Sequence, residues 1–279
     1  MSQKKVAVIG AGGKMGYRVS ANLKNSPYDV KHVEVSEAGR ERLKKELGIA
    51  CVDADTALRD ADIVLLTIPD NMIEKVTKQL VSKFKKGATL IALDAAAPFA
   101  GHLPDREDLT IFVAHPCHPP IFNDETDLEA KRDYFGGIKA KQAIVCALLR
   151  GDEKNYAVAE DVAKRMYAPV IRSHRATVDQ MAILEPVLSE TVGATCLTII
   201  REATDEAVRR GVPEAAARDF ILGHLNVELA ILFDQLPGVR MSDAANKAVE
   251  RAKKEIFAPD WKKVFEREAI AENIRMITS

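Results

Sequence analysis

Residues 6–16 read VAVIGAGGKMG, an apolar β-branched run, then a cluster of glycines, then an amphipathic segment that ends near Asn25. That order spells strand, tight turn, helix, and it constrains the fold more than any other stretch of the chain. Glycine reaches backbone dihedrals that other residues avoid, and it lets a phosphate group come close to the main chain. The start of the helix then offers unpaired N–H groups and a positive dipole end. A dinucleotide is the ligand such a turn accommodates. Two registers are available: Gly10-x-Gly12, with the last glycine one residue late, and Ala11-x-Gly13-x-x-Gly16, which keeps the regular spacing if Ala11 makes the turn. The second is adopted here. It places Ala11, Gly12, Gly13, Lys14 and Met15 against the ligand, with Lys14 as a phosphate or solvent contact rather than a catalytic group.

The first half of the chain alternates apolar strand runs with helical stretches. Strands are predicted at Val6–Ile9, Val30–Val35, Ile63–Ile68, Thr89–Leu93, Ile111–Ala114 and Ala143–Leu149, and a short one at Val170–Arg172. Helices are predicted at Met15–Asn25, Arg40–Leu47, Met72–Phe84 and Tyr156–Tyr167. Strands joined by helical crossovers give a doubly wound parallel sheet. From Thr177 onward only helices read. Pro186 kinks or divides the long apolar stretch there, and Pro213 begins the next helix. The expected architecture is therefore α/β, with an N-terminal doubly wound Rossmann domain over 1–174 and an all-α domain for substrate binding and dimerisation over 175–279. Helices this apolar need cover on more than one face, which a second copy of the chain would supply as a homodimer.

Further ligand contacts follow from the strand ends. An acid that holds the adenosine ribose is expected about 20 residues past the glycines. Glu34 and Glu37 both fall in that window, in VEVSEAGR. A carboxylate there repels a 2′-phosphate and favours NAD, whereas Arg40 and Arg42 keep NADP open. Strands three and four end in TIPDN (Thr67–Asn71) and LDAAAP (Leu93–Pro98). Ile68 and Asp70 are expected at the coenzyme, and Thr67, Pro69, Asp94 and Ala95 are further candidates. Pro69-Asp70-Asn71 is also good turn chemistry in its own right.

Groups able to do chemistry concentrate in AHPCHPPIFNDETD, residues 114–127, directly after a strand. His115 is the leading candidate for a base or metal ligand, ahead of His118; the alternative is a histidine merely satisfied by backbone partners. Cys117 has no evident activating neighbour and reads as an inert small residue. Glu185 sits in an apolar stripe, QMAILEPVLSE, where a carboxylate needs a cation or a donor; it reads as a metal ligand or acid/base, or else as half of a salt bridge at a helix end. His224 and Glu228, four apart on one helix face, could bind substrate or metal or form a plain surface pair. His174 and Arg175 could meet an anionic substrate.

The charge balance excludes some partners. With 40 basic and 41 acidic residues the net charge is −1, so nothing argues for nucleic acid or an anionic membrane. No apolar run is expected to cross a bilayer. The four cysteines, Cys51, Cys117, Cys146 and Cys196, form no C-x-x-C and no leader is read, which points to reduced thiols in the cytoplasm.

The GAGGKMG start, the TIPDN and DAAAP strand ends and the helical tail resemble the 6-phosphogluconate dehydrogenase and ketol-acid reductoisomerase-like superfamily. Within it, AHPCHPPIFNDETD, DYFGG, AKQAIVCAL, HRATVDQMAILEPVLSE and GHLNVELA resemble the D-apionate oxidoisomerase group over nearly the whole length. The resemblance implies NAD-dependent oxidation of a sugar acid followed by acyl migration to 3-oxo-isoapionate. Such chemistry needs a base for the hydroxyl proton and a nicotinamide on the opposite face. A divalent metal ion, zinc or magnesium, would stabilise alkoxide charge beside a carbonyl, and His115 and Glu185 suit its coordination. Ordinary β-hydroxyacid dehydrogenases carry a catalytic lysine on the long helix. SETVGATCLTII has none, which shifts the base to a histidine or a metal-bound group. A plain sugar-acid dehydrogenase and a catalytically silent coenzyme-binding protein are the competing readings.

Overall fold

The computed structural model describes residues 3–279. The chain divides into one compact unit, Met1–Glu185 with Ala271–Ser279, and a second, Pro186–Ile270. The division falls later than the expected boundary at 174/175. Val178 and Met181 are buried with Ala95, Val113 and Ala147 on the sheet, and this packing ties the start of the long helix to the first unit.

The first unit is a seven-stranded sheet: β1 (Lys5–Ile9), β2 (Asp29–Val33), β3 (Ile63–Leu66), β4 (Thr89–Ala92), β5 (Thr110–Pro116), β6 (Gln142–Arg150) and β7 (Val170–Arg175), in the order β2-β1-β3-β4-β5-β6-β7. Side chains alternate between its faces, as a pleated strand requires. Val8, Leu65, Ile91 and Phe112 pack on one face with Val19 and Leu23 of α1 (Lys14–Leu23) and with Val162 and Met166 of the helix Tyr156–Met166. Ala7, Val64, Leu66, Leu90 and Ile111 pack on the other with Leu58, Ile73 and Phe84. Both faces are covered, so these strands read as continuous apolar runs.

The strands from β2 to β5 are mutually parallel, as are β6 and β7, but β6 runs antiparallel to β5. The fully parallel expectation fails at this one pair. Between β5 and β6 lies only the five-residue helix Leu128–Arg132. Without a crossover helix on the sheet, the chain turns back beside the strand it has just left.

The second unit contributes the helices Thr195–Arg209, Glu214–Leu232 and Asp243–Ile256. Leu197, Phe220, Leu222 and Leu232 are exposed on them. Contrary to expectation, one helical run, Val178–Arg209, is long and apolar enough by length and composition to cross a membrane. Pro186, expected to kink or divide this stretch, lies inside the run. The structure continues through it as a π-helix over Ile183–Ala194, whose wider turn accommodates the proline's missing donor.

Candidate active site

The glycine turn is set by close approach. Gly10 follows β1 with φ +83°, and a Cβ there would lie 2.6 Å from Ile68 Cγ2 and 2.8 Å from the Thr67 carbonyl oxygen. The left-handed residue of the turn is thus Gly10, not Ala11, whose side chain is fully buried beneath it. The remainder of the adopted register has a physical basis. Gly13 precedes α1 in extended geometry, and its N–H donates to the Gly10 carbonyl at 3.1 Å. A Cβ on Gly16 would sit 2.0 Å from that same oxygen, so only glycine lets the helix come this near. Thr67 Oγ1 donates to the Ile9 carbonyl at 2.7 Å and pins the end of β3 to the end of β1.

At the end of β2, Glu34 bends back over the turn. Its Oε2 accepts from Gly12 N–H at 2.7 Å and its Oε1 from Ser36 N–H at 2.8 Å. Of the nearby basic residues, Arg42 is engaged elsewhere, stacked over the Tyr17 ring at 3.9 Å.

A cavity of about 440 Å³ opens beyond the carboxyl ends of the strands, where ligands bind in sheets of this kind. Gly13, Lys14 and Met15 line it from the turn, Ile68 and Asp70 from just past β3, Leu93 and Asp94 from just past β4, His115 and Pro116 from the end of β5, and His118 from the loop that follows. Phe135, Tyr167 and Glu185 complete the wall.

Its chemical centre is the group Asp94, His115 and Glu185, whose ligand-capable atoms all lie within 4.8 Å of one another. The His115 ring is held firmly. Nδ1 is 2.9 Å from the Leu93 carbonyl oxygen and 3.3 Å from Asp94 Oδ2. A carbonyl can only accept, so Nδ1 carries the proton and Nε2 keeps the lone pair. Burial depresses the pKa of His115, and the Asp94 charge only partly opposes this, so the ring stays neutral and basic at Nε2. Asp94 is itself fixed, its Oδ1 accepting from Ala96 N–H at 2.6 Å. Two carboxylates and one imidazole, each partly exposed, form a donor set that a divalent cation accepts while leaving positions for substrate oxygens.

Other sequence candidates have other duties. Cys117 is exposed at the surface, yet the protein packed around its thiol still raises the pKa, the opposite of what an activated nucleophile needs. Asn123 donates to the Pro120 carbonyl and Glu125 accepts from Lys141 N–H, so the polar run after His118 shapes its own loop. Arg175 pairs with Glu153 and stacks over Tyr156. His174 lies exposed on β7. In the second unit, His224 stacks on Phe220 and its Nδ1 donates to the Phe220 carbonyl. The sequence reading did not single out Phe135 or Tyr167. The former stands before Gly136-Gly137 in a stretch without periodicity, and the latter closes the helix Tyr156–Met166, where it reads as an ordinary apolar helix end.

Comparison with known proteins divides the chain earlier than the compact units do, near residue 120. Residues 1–119 match the model of the acetohydroxy acid isomeroreductase NADPH-binding domain. Residues 123–278 match that of the C-terminal domain of decarboxylating phosphogluconate dehydrogenase. D-apionate oxidoisomerases of Cupriavidus necator and Rhizobium rhizogenes are each 58% identical, over 99% and 98% of this chain and 100% and 99% of their own length. The chain belongs to the D-apionate oxidoisomerase family. With the family come the Rossmann fold and a dehydrogenase-type enzyme. A crystal structure of a semialdehyde dehydrogenase NAD-binding protein from C. necator, in complex with calcium and NAD, superimposes with a TM-score of 0.97 at 58% identity, covering 99% of this chain and 100% of that one.

Proposed function

We propose that the chain is a D-apionate oxidoisomerase, which oxidises the sugar acid with NAD and then rearranges its carbon skeleton to 3-oxo-isoapionate. The observation that carries the reading is the Asp94–His115–Glu185 cluster, set in the wall of the cavity that begins at the glycine turn. A neutral imidazole with Nδ1 tied down is built to receive a hydroxyl proton at Nε2. Bound NAD would accept the hydride that leaves the carbon bearing that hydroxyl. The rearrangement then moves a carbon–carbon bond between adjacent carbons, and its net change is isomerisation only.

Asp94, His115 and Glu185 would hold a divalent cation, which supplies positive charge where an alkoxide lies beside a carbonyl. His115 Nε2 can serve the ion or the proton, one at a time, and the anchoring of Nδ1 favours both duties. The calcium in the C. necator relative supports a cation for this chain as well. Glu34 favours NAD over NADP, because a carboxylate at the turn repels a 2′-phosphate. The exposed apolar faces of the second unit suit a homodimer. The four unpaired cysteines suit the cytoplasm.

The test is incubation with D-apionate and NAD, following reduced coenzyme by absorbance and the product by NMR. Reduced coenzyme together with a rearranged skeleton is the expected result. Reduced coenzyme with the skeleton intact would leave a plain dehydrogenase.

A further inference from the structure

Phe135 is an aromatic side chain, 46% exposed, at the tip of a loop whose base is firmly anchored. The buried carboxylate of Asp133 accepts from the N–H groups of Ile138, Lys139 and Ala140 at 3.0, 3.0 and 3.2 Å. Gly136, at φ +73°, lies so close to Gln142 that a Cβ would meet its carboxamide at 2.6 Å. The Phe135 carbonyl accepts from His118 Nδ1 at 2.9 Å, and His118 holds φ +61°, a strained value for a non-glycine residue. The loop therefore presents the ring in a fixed place, at the edge of the cavity.

Two cations gather on that ring. Lys14 Nζ is 4.0 Å from its centroid and Arg18 Cζ is 4.6 Å away. The two are four residues apart on α1 and share one face. Neither pairs with an acid among the described residues, and Arg18 Nη1 is buried without a hydrogen-bond partner. Arg18 stands outside the cavity wall, so its charge reaches the cavity from behind Lys14, across the shared ring. Lys14 is also the one lysine or arginine lining the cavity among the described residues, and it opens α1 directly after Gly13.

We propose that Phe135 is a positioning residue for the coenzyme, holding Lys14 and Arg18 together as a paired cation for the diphosphate bridge. Two negative charges at the start of a helix match two cations better than the single charge of a sugar-acid carboxylate does. The inference rests on the reading of the chain as NAD-dependent.

The test is calorimetric titration of the full chain with NAD and with ADP-ribose, which carries the diphosphate but no nicotinamide. F135A and R18M each weaken both ligands about tenfold. F135W, which keeps an aromatic face, restores binding to within about twofold. In turnover assays F135A raises KM for NAD far more than it lowers kcat. Binding of both ligands by F135A and R18M within about twofold of wild type would overturn the proposal. So would a rise in KM confined to the sugar acid. Thermal melting identifies a variant that fails to fold, and R18M and F135W then decide the outcome. Wild-type protein that binds neither ligand would bring down the NAD reading together with the inference, a result the wild-type titration alone reveals.

Discussion

Asp94 Oδ2 stands 3.3 Å from His115 Nδ1 while the carbonyl of the preceding residue, Leu93, accepts from that nitrogen at 2.9 Å. The end of one strand thus fixes both the tautomer and the orientation of a ring carried by the next. Neither contact depends on a ligand, so the ring is oriented before substrate arrives.

Loss of the Asp94 charge loosens that arrangement without touching the coenzyme turn. D94N is expected to lower kcat about 10- to 100-fold, the usual scale for removing a group that orients a ligand or base, while NAD affinity stays within about twofold. Steady-state kinetics and calorimetry on the same preparation check both halves of the expectation.

Coenzyme choice is expected to follow Glu34. Its carboxylate caps Gly12 N–H at 2.7 Å, and Arg42 is held on Tyr17. Wild-type protein should use NAD at least about tenfold better than NADP by kcat/KM. E34Q removes the repulsive charge but keeps an acceptor for Gly12, and should narrow that ratio by raising turnover with NADP.

Acid sensitivity is expected to trace in part to His32. It is only 5% exposed, its Nε2 has no hydrogen-bond partner among the described residues, and burial pushes its pKa down to about 4. The unfolded chain binds a proton near pH 6.5 and the folded chain does so only near 4, so stability falls as the pH drops through that window and is fully present above it. The loss amounts to roughly 3 kcal/mol. Melting curves from pH 7 to 4 should show H32L losing less stability over this range than wild type does.

Gly16 has no room for a side chain, because a Cβ would lie 2.0 Å from the Gly10 carbonyl oxygen. G16A is expected to cost about 2–4 kcal/mol as α1 moves away from the turn, and to abolish measurable NAD binding even where the protein still folds. Denaturant titration and calorimetry read the two effects separately.

The glycine turn, the strands and the two halves were legible in the sequence because both sheet faces are buried, which leaves long apolar runs between polar punctuation. His115 and Glu185 were legible as unusual residues in their settings. Their meeting was not, since residues 116–184 lie between them and only the docking of Val178 and Met181 onto the sheet brings Glu185 to β5. The reversed β6 was hidden because apolar strand residues look alike in either direction. Phe135 was hidden because its role rests on Lys14 and Arg18, far from it in the chain. Pro186 marked an irregularity that the sequence left open between a kink and a division, and the structure places it inside a π-helix.

Removing the cation separates Glu185 from the coenzyme site. Glu185 shares its cluster with Asp94 and His115 but lies outside the glycine turn, so chelation and E185Q are expected to leave NAD binding within about twofold of wild type. Both should suppress the rearranged product, because alkoxide charge beside a carbonyl would lose its counter-charge. Calcium or magnesium added back should restore the chelated wild type. E185Q should need about 100-fold more cation, since a neutral amide is a far weaker ligand than a carboxylate for a hard ion. Isothermal titration with the metal salt, run beside product analysis by NMR, checks this. Full activity in chelated protein shown by elemental analysis to be metal-free would assign His115 Nε2 to the proton alone.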